Sequence, residues 1–236
     1  MLPMLYYYHQ YYHRSFRYVA PLAIYFIIIL FIYWVVPTPV MDSYAITSTL
    51  LFIISAWLCY GFIDHEDETQ QIVTFLHARS LTLLYTCKLL YIWLFTLPVS
   101  IIAMTYPILF NKFDHQPSFQ EIGVAFASHE LAALLGISLA AWFNQKLFKT
   151  GLMSFLGLGL VITISLAGQG IVTIMPAFLS WLIPPLRMII SLLSNYTNVS
   201  NTSLLTSLLS PLLYAIMLNV FFLVVMKRRK FESRGK

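Results

Sequence analysis

Residues 203–230 read SLLTSLLSPLLYAIMLNVFFLVVMKRRK, in which twenty-four positions without a charged side chain are closed by four consecutive basic ones. As a helix rising 1.5 Å per residue the uncharged run is about 36 Å long, enough to cross a hydrocarbon core of roughly 30 Å. A basic cluster directly after such a run marks the cytoplasmic face of a membrane. The rest of the chain repeats the pattern. Apolar residues make up 59% of its 236 positions and charged residues 10%, and the mean hydropathy is +0.78. A soluble domain carries about 25% charged residues. The bilayer therefore has to act as solvent for most of this chain.

Five further apolar runs, 18–36, 44–63, 89–110, 119–143 and 151–175, join 203–226 to give six expected spans. Pro37 and Pro39 close the first, and residues 111–117 separate the third from the fourth. Orientation follows from the basic residues. Arg14, Arg17, Arg79, Lys88, Lys146, Lys149, Lys227, Arg228, Arg229, Lys230, Arg234 and Lys236 fall on one side of this arrangement. Only Lys112 and Arg187 fall on the other. By the positive-inside rule the first side is cytoplasmic, which puts both termini inside the cell and makes the plasma membrane the expected location. The same distribution accounts for the net charge of +5 without nucleic acid as a partner. Cys59 and Cys87, the only cysteines, lie near the cytoplasmic face and are expected as free thiols.

Three segments do not span. Residues 1–17 interleave Tyr6, Tyr7, Tyr8, Tyr11, Tyr12 and Phe16 with His9, His13, Arg14 and Arg17. Aromatic and basic side chains together favour the headgroup layer, so an interfacial helix in contact with membrane lipids is expected there. The cytoplasmic connection 64–88 opens with Asp64, Glu66, Asp67 and Glu68; Ile72, Val73 and Leu76 then recur at helical spacing among Gln70, Gln71 and His77. Ser80 is placed to cap the helix that follows. Two readings of this connection stand: an amphipathic helix that docks into a partner's groove, or a solvated loop whose acids balance nearby bases. The outer connection 175–202 is apolar, but Pro176, Pro184 and Pro185 break it around Trp181 and before Arg187. Neither half is long enough to span, so short re-entrant helices are expected. Asn195, Asn198 and Asn201 begin glycosylation sequons on that side and are read as a polar linker.

Enzyme chemistry finds little support. No G-x-x-x-x-G-K-[ST] loop is present to cradle a nucleotide, so ATP and Mg are not expected on this chain. Gly157, Gly159, Gly168 and Gly170 lie inside an apolar run, where close helix packing explains them. His129 and Glu130 begin an H-E-x-x-H pattern, but Ala133 stands where the second histidine belongs, and no zinc site is expected. No G-x-S-x-G surrounds an apolar-run serine. An ionisable pair near the middle of a span still invites either a functional reading, contact with cargo or a proton-linked step, or an interhelical hydrogen bond. Asn144 and Gln145 are expected only to finish the fourth span.

The layout resembles the permease subunit of a type-2 ABC exporter: an interfacial N-terminal helix, six spans, a cytoplasmic amphipathic helix between the second and third, and re-entrant helices before the sixth. Glu68 and Thr69, then Ile72, Leu76, Ser80 and Lys88, are similar to that family's run of an acidic residue, an apolar amphipathic turn, a small polar residue and a lysine at the start of the third span. The resemblance implies an all-α domain over 18–226 with a basic cytoplasmic tail at 227–236. It implies a coupling helix made of Glu66, Asp67, Glu68, Gln71, Ile72, Phe75, Leu76, His77 and Arg79, seated on a separate cytoplasmic ATPase whose basic residues meet the acids. It also implies a second permease copy or paralogue, ATP and Mg on the partner, and export of a peptide-like cargo such as a bacteriocin, lantibiotic or toxin. Two other classes remain: a membrane immunity or assembly protein without transport, and an intramembrane enzyme that recruits Asn219 or other polar groups to His129 and Glu130.

Overall fold

The computed structural model describes residues 1–148 and 150–228. Lys149, Arg229, Lys230, Arg234 and Lys236, which the charge count uses, lie outside the described residues. Every extended element among the described residues is a helix; the only β-type contact is an isolated bridge between Thr38 and Phe113.

The elements in chain order are α1 (Leu2–Ser15), α2 (Val19–Ile32), α3 (Val40–Ile63), α4 (Glu68–Ala78), α5 (Leu81–Leu109), α6 (Phe119–Ala141), α7 (Gly151–Leu166), α8 (Gly168–Ile174), α9 (Leu186–Ser194) and α10 (Asn201–Arg228). Short 3-10 turns occupy Ala177–Leu182 and Tyr196–Asn198. Helices α3, α5, α6 and α10 are each long and apolar enough to cross a membrane. The bent pairs α1–α2, at 77°, and α7–α8, at 71°, raise that number to six if each pair is one span. The described residues are thus all-helical, with four to six elements long and apolar enough to span a membrane, as suits a membrane-embedded protein.

The bundle is organised around α6. Its most extensive contact is with α3, and α5, α10 and α9 cover its other sides. Small side chains permit the approach: Ala125, Ser128, Ala132, Ala133, Gly136 and Ala140 are all buried along α6. A Cβ on Gly136 would overlap the Phe52 carbonyl oxygen and the Ser55 hydroxyl of α3. Ser55 Oγ donates to the Ala133 carbonyl at 3.0 Å, and Cys59 Sγ to that of Ile137 at 3.5 Å. Close backbone approach with small polar side chains bridging it is how membrane helices gain packing energy without a hydrophobic driving force between them. Of the glycines expected to pack closely, Gly157 meets the Phe143 ring and Gly168 meets Ile183, whereas Gly159 and Gly170 face open space. The tightest crossing lies at Gly136 instead.

Helix ends carry their expected chemistry. Ser118 and Glu121 form a capping box at the start of α6. Asn144 Nδ2 donates to the Ala141 carbonyl, while its Oδ1 accepts from the backbone N–H groups of Lys146 and Leu147, which closes the end of α6. Both cysteines are free and buried.

Three expectations need correction. Helix α2 ends at Ile32, well before the prolines, and its 14 residues give a length of only about 21 Å. Beyond it the chain leaves the helix to pair with the α5–α6 loop, the Thr38 N–H donating to the Lys112 carbonyl and the Asp114 N–H to that of Thr38. The fifth apolar run is not one straight helix, since α7 stops at Leu166 and α8 departs at a steep angle. The N-terminal aromatics are divided: Tyr6 and Phe16 are exposed, while Tyr8 and Tyr12 are fully buried against Phe62 and Tyr91.

The connection 175–202 folds back deeply. Tyr214, at the middle of α10, donates its hydroxyl to the Leu182 carbonyl at 3.2 Å. The turn before Pro184 therefore sits beside mid-length of a spanning helix, with a backbone carbonyl satisfied by a side chain. Helix α9 then rises with Leu186, Ile189, Leu192 and Leu193 buried against its neighbours. Pro184 and Pro185 are buried, whereas Pro176, Phe178 and Trp181 face outward.

Candidate functional site

The segment 64–88 forms a helix fastened to the bundle. Asp67 caps α4 by accepting the Gln70 N–H at 2.6 Å, and Ser80 caps α5 by accepting that of Leu83 at 3.4 Å. Between the two helices Arg79 takes a left-handed conformation at φ 56°, which ends α4. Helical periodicity then divides α4 into two faces. Gln71, Thr74 and Ala78 turn inward and are buried, with Phe75 partly so. Ile72, Val73 and Leu76 turn outward at 45%, 45% and 66% exposure, as do Asp67, His77 and Arg79.

Both faces are mixed, but burying Gln71 and Thr74 while Ile72, Val73 and Leu76 lie exposed is unusual for a surface helix. The reason lies beneath it. Glu66 is not free for a partner; it is buried and pairs with Lys88 of α5 at 2.8 Å, side chains 2% and 1% exposed. Its other carboxylate oxygen accepts hydroxyl hydrogens from Thr74 at 2.9 Å and Tyr7 at 3.1 Å. Gln70 in turn donates its side-chain amide to Tyr7. Lys88 also donates to the Ile63 carbonyl at the end of α3, and the Tyr8 and Tyr85 rings lie 5.9 Å from its ammonium. One ion pair therefore ties together α1, the end of α3, α4 and α5. Beside it, Asp64 Oδ2 accepts the Gln145 N–H at 2.6 Å, which links α3 to the α6–α7 connection. Burial pushes the Asp64 carboxyl above its ordinary pKa and the His65 imidazole below its own.

The expected docking residues thus separate by role. Ile72 and Leu76, with Asp67, His77 and Arg79, remain on the outer surface; Glu66 and Gln71 are part of the internal anchor. Sequence reading counted Lys88 as a topological charge and missed its pairing with Glu66. The available signal was a lysine flanked by Leu83, Leu84, Leu89 and Leu90, where an uncompensated charge is costly.

No family model, no curated protein and no solved structure matches the chain.

The intramembrane pair His129 and Glu130 does not form one site. His129 is fully buried and faces α3, its Nε2 lying 3.0 Å from Thr47 Oγ1 and its Nδ1 2.8 Å from the Ala125 carbonyl. A carbonyl only accepts, so Nδ1 carries a hydrogen, while Nε2 shares the Thr47 hydroxyl with the Ser43 and Tyr44 carbonyls; both ring nitrogens have partners within the chain. Glu130 points toward α5, where Ser100 donates to Oε1, while Oε2 is buried without a hydrogen-bond partner. Asn219 donates to Ser138, about 12 Å further along α6 from Glu130, and joins neither residue. Among the described residues no three His, Cys, Asp or Glu side chains come together in a way that would hold a metal ion. The arrangement offers helix-to-helix hydrogen bonds, not a catalytic constellation.

Proposed function

We propose that the chain is the permease subunit of an ATP-driven type-2 exporter, with six spans, both termini in the cytoplasm, and α4 as the helix that receives a separate ATPase. The observation that carries this reading is the outer face of α4, where Ile72, Val73 and Leu76 lie exposed while the inner face is clamped by the Glu66–Lys88 pair. An apolar helix face beyond the end of a membrane bundle fits a groove on a soluble partner. The rigid fastening supplies the other requirement, because a push on α4 reaches α1, α3 and α5 without being absorbed in a loose loop. The steep bend between α1 and α2 supports an interfacial α1, and the distribution of basic residues supports the orientation.

In this reading two such chains, identical or paralogous, surround the pathway, and closure of two ATPases tilts them between inward- and outward-facing states. The cargo is hydrophobic or amphipathic, best represented by a peptide toxin or antimicrobial peptide. The test is export in cells carrying the Ile72→Asp, Leu76→Asp double variant. Loss of export with normal membrane insertion supports the docking role, and undiminished export removes it.

A further inference from the structure

The splayed α7–α8 arm borders an open-sided cavity of about 730 Å³ against α6, α10 and the outer re-entrant turn. Its lining includes Leu139, Trp142, Val161, Ile171, Ile183 and Tyr214. That volume falls in the range of roughly 300–1,000 Å³ typical of sites that bury a small ligand. The walls are almost wholly apolar, which suits an alkyl chain. Arg187, half-buried, is not part of the lining but stands beside Ile183, which is. A Cβ built on Gly168 would touch both Ile183, a cavity residue, at 3.2 Å and the Arg187 side-chain stem at 3.9 Å. Arg187 Nε is buried without a hydrogen-bond partner, and among the described residues no carboxylate pairs with this guanidinium. It is the second residue of α9, five residues after the carbonyl that Tyr214 holds at mid-length of α10, so it stands within the depth of the bundle. An arginine at such depth without a counter-charge lacks the anion that ordinarily accompanies it.

We propose that this cavity binds an anionic amphiphile, its alkyl chain between α7 and α10 and its acidic head on Arg187. The cavity supplies affinity for the chain and the guanidinium selects the sign of the head. The proposal does not depend on transport, since a lipid held here would fasten the loosely packed α7 arm to the bundle whatever the protein does. A phospholipid phosphate and a fatty-acid carboxylate share the required chemistry.

The test uses the full chain in detergent micelles with amphiphiles brominated on the acyl chain, which quench tryptophan on contact. Trp142 is the reporter, isolated by subtracting the signal of Trp142→Phe. Brominated phosphatidylglycerol, fatty acid and phosphatidylcholine are titrated separately. The expected result is that phosphatidylglycerol or the fatty acid quenches Trp142 at about fivefold lower concentration than phosphatidylcholine, as one arginine–anion contact of ~1 kcal/mol implies. Whichever acid is preferred identifies the head group. The preference should vanish in Arg187→Gln and return in Arg187→Lys, which also shows that the site still folds. Ile171→Phe, by filling the cavity, should weaken quenching by all three. Equal quenching by acidic and zwitterionic amphiphiles, or a preference that survives Arg187→Gln, would overturn the proposal.

Discussion

Glu66 and Lys88, twenty-two residues apart in sequence, meet at 2.8 Å beneath α4 with neither side chain reaching the surface. Each would be costly to bury alone. Together, with Tyr7, Thr74 and the Ile63 carbonyl completing the hydrogen bonds, they make the end of the bundle beneath α4 one unit. Removing one partner strands a buried charge, so Lys88→Met or Glu66→Leu should each destabilise the protein by about 3–5 kcal/mol. The double variant should cost less than either single change, because it removes both charges at once. Equilibrium denaturation in detergent checks both statements.

The crossing of α3 and α6 gives a second prediction. Gly136→Ala places a methyl group against the Phe52 backbone and should destabilise by about 1–3 kcal/mol, whereas Gly159→Ala meets open space and should not destabilise, Ala favouring a helix interior over Gly by up to about 1 kcal/mol. Thermal unfolding of the two variants side by side separates packing glycines from incidental ones.

The loop between α5 and α6 should show a pH dependence. His115 lies 2.7 Å from Asp114 and 3.3 Å from Glu121, and the hydrogen bond to Glu121, aided by Asp114, raises its pKa above the ordinary histidine value. A raised folded-state value means that its stabilisation is fully present below about pH 6.5 and fades as pH rises through the raised value. The difference in Tm between the native chain and His115→Ala should therefore shrink on going from about pH 6 to about pH 8.5. A constant difference would show that His115 acts only through packing.

Glu130 is expected to serve as an interhelical hydrogen-bond partner. Glu130→Gln keeps an acceptor for the Ser100 hydroxyl, so stability should change by less than about 1 kcal/mol and the pH profile of export should stay the same. A shifted profile would show that the carboxylate handles protons or cargo.

How far the sequence discloses this structure depends on the kind of signal. Helices α3, α5, α6 and α10 follow closely from uninterrupted apolar runs, and Ser80 caps α5 as its spacing implies. Hydropathy carries no information on direction, so the break at Ala167, which no proline marks, was invisible, as was the early end of α2. Gly136 escaped notice because its role depends on which α3 backbone faces it. Glu66 was assigned to a partner because a cluster of acids looks external until the lysine that neutralises one of them is placed in space. The divergence of His129 and Glu130, by contrast, is inherent in their adjacency, since consecutive helical residues point about 100° apart.

Whether the outer face of α4 receives a soluble ATPase is decided by purifying the chain from its native membrane in mild detergent and identifying what accompanies it. A stoichiometric ATPase with a phosphate-cradling loop is expected, lost from the Ile72→Asp, Leu76→Asp variant while that variant keeps the Tm of the native chain. Recovery of the chain without an ATPase, or equal recovery of the ATPase with the double variant, would contradict it.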